Sequence, residues 1–379
     1  MTEVTFSKGL EGVIASDSKI CKVDGERGFL MYRGYDIQDL AAHSTFSETA
    51  YLLIHGELPT TQQLEEFDAT LTAARTLDPM ILDLFQALPK DTHPMIALQT
   101  AVAAQGAIDP LPARRDDANL QRAIALIAKF PLYVAAWARI KEGLPYVEPR
   151  ADLGLGQNFL YMIQGEAPDE ETGRIFDVCL ILHMEHSFNA STFTARVTAS
   201  TLAPMEASVA AAVGSLYGPL HGGANEQVLH MLSEIPSVEE TEAWVLDALK
   251  TKRKIMGMGH RVYRAKDPRS FVLEKFLATI AAKHGTNENY EKLKIVERVM
   301  EREMTAAGKK IYPNVDFFSG SLYELLGIGV EHFTPIFGVA RIVGWVAHIL
   351  EQWEDNRIYR PKALYQGHPL RTWAPFSER

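Results

Sequence analysis

Apolar positions recur every three to four residues over most of the chain, the spacing that turns one face of a helix toward a core. The pattern is clear in "AIALIAKFPLYVAAWARI" (123–140), "IFDVCLILHMEH" (175–186), "MEASVAAAVGSLY" (205–217), "SFVLEKFLATIAAKHG" (270–285), "YEKLKIVERVMEREM" (290–304) and residues 336–353. No sustained apolar–polar alternation stands out, so no large sheet is predicted. No unit recurs at the period of a helical solenoid. The pattern predicts an all-α protein. Asp267 and Pro268 read as an N-cap and a first-turn proline, so a helix is predicted to start there and to end at Gly285. The 205–217 helix is rich in small residues and is expected to be deeply buried, with Gly218-Pro219 stopping it. "GAIDPLPARRDDANL" (106–120) reads as a loop.

A length of 379 residues suits about two domains. With 47% apolar and 23% charged residues, the chain has the composition of a folded globular protein. Its net charge of −10 leaves no broad basic field for nucleic acid or an anionic membrane. An anionic ligand must therefore be held by local clusters of cations. Cys21 and Cys179 are too few for a disulfide scaffold and read as free thiols of a reducing compartment. With no signal-peptide pattern at the N-terminus, a cytoplasmic protein is expected.

The segment "FTPIFGVARIVGWVAHIL" (333–350) is long enough to cross a bilayer. Arg341 in its middle would be costly in lipid, and Pro335 suits a helix's first turn. A buried helix of a soluble protein is expected instead. Arg341 then needs an anionic partner, either a carboxylate of this chain or a substrate.

Several stretches carry candidate chemistry. In "YGPLHGGANE" (217–226), His221 stands among glycines. Gly222 and Gly223 are expected to use backbone angles closed to other residues and to admit a ligand, unless this is only a connecting loop. "KTKRKIMGMGHRVYRAKDPR" (250–269) joins Lys250, Lys252, Arg253 and Lys254 to a Gly-x-Gly turn, His260, Arg261, Arg264 and Arg269. It suits a phosphate-rich ligand or is a solvated basic loop. Val262 at the third glycine position excludes a dinucleotide fingerprint. Asp316 sits beside Phe317 and Phe318. Burial would raise its pKa toward that of a general base; a helix cap or an ion pair is the alternative. His183 and His186, three apart, are expected to share a helix face as hydrogen-bonding groups. No cysteine or second histidine cluster accompanies them, so no metal is expected. Arg357 and Arg360 follow the Arg341 helix.

Together, "GPLHGGANE", "GMGHRVYRAKDPR", "PNVDFFSG", "EHSFNASTFTAR" and "FTPIFGVARIVGWVAHILEQ…DNRIYRPKALYQG" closely resemble the citrate synthase family in its short, dimeric type. The resemblance runs from "GLEGVIASDSKI" to "RPKALYQG". It implies an all-helical homodimer whose large domain takes residues 1–221 and 327–379 and whose small domain takes 222–326. The cleft between them would hold the site, with no metal or other cofactor. By this resemblance Asp316 is the base that deprotonates acetyl-CoA, and His221 the neutral donor to the thioester oxygen. His260 polarises the oxaloacetate ketone. His186, Arg269 and Arg341 hold carboxylates, Phe337 packs against substrate, and Arg360 reaches the neighbouring subunit's site. Arg264, the main chain of Met256, Gly257, Gly259 and Val262, and Asn314 form the CoA site. Lys252 and Lys254 are assigned to CoA phosphates from their charge alone. The rival within the family is 2-methylcitrate synthase, which uses propionyl-CoA. A methylene discriminates by only about 1–3 kcal/mol; "DFFSGSLY" and "GHRVY" favour the citrate enzyme. A non-catalytic regulator binding CoA or a tricarboxylate is the rival outside enzymes. The presence of His221, His260 and Asp316 together argues against it.

Overall fold

The computed structural model describes residues 6–108, 116–260 and 262–378, so Arg261 and the 109–115 part of the 106–120 stretch lie outside the described residues. Among the described residues sixteen α-helices form the body. Beside them, β1 (Cys21–Asp24), β2 (Phe29–Tyr32) and β3 (Tyr35–Asp36) make a small antiparallel sheet in the order β1-β2-β3. Its register pairs Cys21 with Tyr32 and Tyr32 with Tyr35. The fold is all-helical apart from this ribbon.

Most periodic segments become helices close to their predicted bounds. They are Asp116–Lys141, Met205–Tyr217, Pro268–His284, Glu288–Ala306 and Phe333–Glu354. The Asp267 carboxylate accepts the Arg269 N–H, as the predicted cap requires. The expectation of a loop over 106–120 does not hold at either end. Helix Pro94–Ile108 covers its beginning and helix Asp116–Lys141 its end.

The 175–186 segment differs in a way that matters for the site. Its helix runs Glu170–His183 and stops there, with Met184 as C-cap. The Glu185 N–H, which a continuing helix would give to the Ile181 carbonyl, goes to the Tyr32 hydroxyl at 3.2 Å. That hydroxyl lies 3.0 Å from the Glu185 carbonyl and 3.2 Å from the Ile181 carbonyl, either of which can accept its proton. A phenol on β2 thus takes over the hydrogen bonds of the next turn. His183 and His186 therefore do not share a helix face.

Helix Phe333–Glu354 is the axis of the larger group of helices. It packs against Phe46–His55, Pro94–Ile108, Asp116–Lys141, Glu170–His183, Ala190–Ser200 and Met205–Tyr217. Its residues from Phe333 to Ile349 are buried on every face. This helix and the Ala118–Lys141 stretch are each long and apolar enough to span a membrane. In the molecule both lie in the core and pack on one another. Small residues let Met205–Tyr217 pack closely against Pro94–Ile108 and Ala190–Ser200. A second group, Ala224–Glu234, Thr241–Lys250, Pro268–His284, Glu288–Ala306 and Val315–Leu325, packs mainly within itself.

Candidate active site

A cavity of about 540 Å³ is lined by His186, His221, His260, Val262, Arg269, Asp316, Phe337 and Arg341, with Val23 and Leu220 among the residues completing its wall. These side chains come from stretches far apart in sequence. They are β1, the segment after the Glu170–His183 helix, the turn after Met205–Tyr217, the 256–269 loop with the helix it leads into, the start of Val315–Leu325 and the N-terminal half of Phe333–Glu354.

The turn that presents His221 is tight. Gly222 N–H bonds back to the Leu216 carbonyl at 3.0 Å. A Cβ at Gly222 would lie 2.4 Å from that carbonyl oxygen and 2.7 Å from Leu216 Cδ1. Neither Gly222 nor Gly223 has a positive φ. The expectation of special backbone angles is therefore corrected: Gly222 is needed because its own chain passes too close for a side chain. His221 Nε2 accepts the Ser191 N–H at 3.2 Å and lies 2.8 Å from Ser191 Oγ. Ser191 Oγ in turn accepts the Trp345 indole N–H at 3.1 Å. With Nε2 engaged as an acceptor, the proton of neutral His221 sits on Nδ1. Burial, then the charge of Arg341, lowers the His221 pKa to about 4.

His260 is fixed by its own loop. Its Nδ1 accepts the N–H groups of Val262 at 3.0 Å and Tyr263 at 3.1 Å. The proton of the neutral ring is therefore on Nε2. Burial, then Arg269, lowers its pKa to about 4, against the opposing charge of Asp267. At neutral pH both imidazoles are uncharged donors.

Asp316 stands in the first turn of helix Val315–Leu325. The cap of that helix is Asn314, whose side chain accepts the Asp316 N–H at 3.0 Å. Asp316 is thus free of the capping role considered above. Burial raises its pKa to about 6, although Arg269 and Arg341 pull it down. Such a carboxylate is basic enough to take a proton yet largely ionised at pH 7.

The two arginines differ. Arg269 is gripped in a two-point contact by Asp267, with Nε–Oδ1 at 3.0 Å and Nη2–Oδ2 at 2.7 Å. Burial alone would raise the Asp267 pKa, but the charge and hydrogen bonds of Arg269 outweigh it and leave it lowered. Arg341 is 1% exposed, gives its Nε–H to the His183 carbonyl at 2.8 Å and lies with Cζ 4.7 Å from the Phe337 ring centroid. Among the described residues no carboxylate is within ion-pair distance of it. A buried guanidinium with unused donors on a cavity wall is a site for an anionic ligand.

The remaining predicted residues lie outside this cavity. Gly257 and Gly259 take positive φ of 74° and 81° and shape the loop. Gly257 accepts the Asn314 N–H at 2.9 Å, and Gly259 accepts from the Asn314 side chain at 2.9 Å. Met256 gives its N–H to Met231 Sδ at 3.2 Å. Lys252, Lys254 and Arg264 are exposed. Arg360 is exposed and lines a separate hollow of about 850 Å³ between residues 10–19 and 351–361. His183 turns its ring edge to Phe337 and bonds through Nδ1 to the Cys179 carbonyl at 2.7 Å. Ser191, Tyr263 and Asp267 hold the site's side chains; of these the sequence marks only Asp267, as a helix cap. Among the described residues no group of three metal-ligating side chains gathers anywhere.

A raised carboxylate, two fixed neutral donors and an arginine without an ion-pair partner among the described residues meet in one cavity, an arrangement suited to acid–base chemistry on an anionic ligand. The comparisons make the class particular. The family model for the citrate synthase C-terminal domain matches residues 9–362. A citrate synthase of Synechocystis is 47% identical over 99% of this chain and 94% of its own. A 2-methylcitrate synthase of Corynebacterium glutamicum is 42% identical over the full length of both. The solved ternary complex of carboxymethyl coenzyme A and oxaloacetate with the Thermoplasma acidophilum citrate synthase superposes with a TM-score of 0.93. It is 30% identical and covers 99% of this chain and 100% of that one. The chain belongs to the citrate synthase family. It is an enzyme that transfers an acyl group in a condensation, and its full-length relatives support citrate synthase activity.

Proposed function

We propose that the cavity condenses acetyl-CoA with oxaloacetate and hydrolyses the resulting citryl-CoA, with His221, His260 and Asp316 as catalytic residues. The observation that carries this is the meeting of a carboxylate of pKa about 6 with two imidazoles whose protons are fixed by main-chain donors. A methyl beside a thioester is a very weak acid. Asp316 can remove its proton only if the oxygen's growing charge is met as it forms. His221 Nδ1–H supplies that donor, worth about 3–4 kcal/mol by analogy with oxyanion-hole groups. His260 Nε2–H polarises the ketone of oxaloacetate for attack and stabilises the alkoxide that results. Arg341, His186 and the free edge of Arg269 hold the carboxylates, and Phe337 packs against the bound acid.

The 256–262 loop, with Arg264, Asn314, Lys252 and Lys254, is our site for CoA, supported by its glycines and its exposed cations. We take residues 222–326 as a small domain that closes on the rest (1–221 and 327–379) when oxaloacetate is gripped. We further propose a cytoplasmic homodimer that needs no metal. Ile14 and Ile358, apolar and exposed, line the same hollow as Arg360, a surface suited to a second copy. Arg360 would then complete the partner's cavity. Release of free CoA thiol on mixing acetyl-CoA with oxaloacetate tests the reaction; a non-catalytic binder would release none. An unreactive acetyl-CoA analogue should bind more tightly with oxaloacetate present, and equal affinity would contradict closure.

A further inference from the structure

We infer that Tyr263 is a positioning residue that sets both oxaloacetate-facing histidines at once, an inference resting on the substrate reading above. The main chain and the side chain of this residue do separate jobs. Its N–H donates to His260 Nδ1 at 3.1 Å and so helps hold that ring's proton on Nε2. Its hydroxyl lies 3.2 Å from His186 Nε2. The ring fills the space between the two imidazoles, 4.7 Å from His260 and 5.6 Å from His186, centroid to centroid. The imidazoles themselves are 5.4 Å apart.

The sense of the His186 bond follows from acidity. Burial pushes the Tyr263 phenol well above its usual pKa, so it keeps its proton. Burial, then the charges of Arg269 and His260, holds the His186 imidazole well below its usual value, so it is neutral and has one lone pair to offer. A phenol O–H is a stronger acid than an imidazole N–H, so the phenol donates and Nε2 accepts. The His186 proton is thereby placed on Nδ1.

Tyr263 is itself anchored. It is 4% exposed. The next residue, Arg264, gives its N–H to the Gly25 carbonyl at 2.8 Å, in the turn between β1 and β2. A Cβ on Gly25 would lie 2.1 Å from the Val262 carbonyl oxygen, so the hairpin presses directly on the 262–264 segment. One anchored residue thus couples a donor on the 256–269 loop to a donor beyond the Glu170–His183 helix.

The test is Tyr263→Phe, which keeps the N–H and the ring and removes only the hydroxyl. The KM for oxaloacetate is expected to rise about three- to tenfold, the size of one hydrogen bond, while kcat and the KM for acetyl-CoA change less than about twofold. A purely structural loss would lower kcat along with both affinities. Side-chain 15N spectra of the wild-type protein give a second readout that needs neither turnover nor a variant. They should show His186 protonated on Nδ1, with Nε2 shifted by an accepted hydrogen bond. An unchanged oxaloacetate KM in Tyr263→Phe, or a His186 proton on Nε2, would overturn the inference. Absence of turnover in the wild type together with the expected His186 spectrum would overturn the substrate reading and leave the positioning role standing.

Discussion

Asp316 carries the account at the scale of single residues. It must be ionised to act, and its pKa of about 6 lies above that of an ordinary aspartate. kcat/KM for acetyl-CoA should therefore rise with pH through about 6 and level off near 7. His221 and His260 titrate near 4, so neither gives a falling limb between pH 5 and 8. A profile flat from pH 5 to 8 would contradict the role of Asp316. Replacing His221 with alanine removes one preset donor and should lower kcat about 100- to 1000-fold. A loss confined to KM would show that His221 only binds.

Residue identities were the most legible part of the sequence. Asp316 among phenylalanines, His221 among glycines and Arg341 alone in an apolar helix each marked themselves by a mismatch with their surroundings. The groups that support them were not visible in this way. Ser191 and Tyr263 are ordinary residues of amphipathic or aromatic stretches. They reach His221 and His186 across 30 and 77 positions of chain. Only the tertiary fold brings such groups into contact.

At the scale of elements, the loop and turn glycines separate by what surrounds them. A Cβ on Gly257 would meet Val228 Cγ2 at 2.8 Å and Phe317 Cα at 2.9 Å, and its φ is 74°. Gly259 has a φ of 81°, but its nearest contact would be 3.7 Å away. Both alanine variants pay for the left-handed backbone, about 1 kcal/mol each. Only Gly257→Ala must also push the start of helix Val315–Leu325, where Asp316 stands. We expect Gly259→Ala to lose stability with kcat nearly intact, and Gly257→Ala to lose about 1–3 kcal/mol more together with most of its kcat. Denaturant unfolding and initial rates on the two proteins check this; equal effects would mean that the close packing at Gly257 does not hold the base.

Helix existence followed the apolar period reliably because most helices bury one face against a common core. The end of the Glu170–His183 helix did not, because its stop signal is Tyr32, a residue of another element. The stretch 175–186 keeps a helical period past the point where the Tyr32 hydroxyl captures the Glu185 N–H. The change places His186 in the cavity wall instead of on the helix.

The whole molecule links the site to stability through proton uptake. His183, His186, His221 and His260 all have folded pKa values below the unfolded one, chiefly through burial. Their contribution is present above about pH 6.5 and is lost as pH falls toward 4. Asp316 and Asp177, raised to about 6 by burial, act in the opposite sense. Their contribution is present in acid and is lost as pH rises through 6. Four histidines outweigh two carboxyls, so Tm should fall between pH 6.5 and 4.5. A Tm that holds or rises over that range would show that these imidazoles are not buried neutral.

The central claim is that Asp316 removes a proton from an acyl-CoA so that it can attack oxaloacetate. The most direct measurement is the initial rate of free-CoA release with oxaloacetate, for acetyl-CoA and propionyl-CoA at equal concentrations, in the wild type and in Asp316→Asn. We expect rapid release that favours acetyl-CoA and falls about 100- to 10 000-fold in the variant, the range a general base supplies. Release that persists at the wild-type rate in Asp316→Asn, or no release from either thioester by the wild type, would contradict the account.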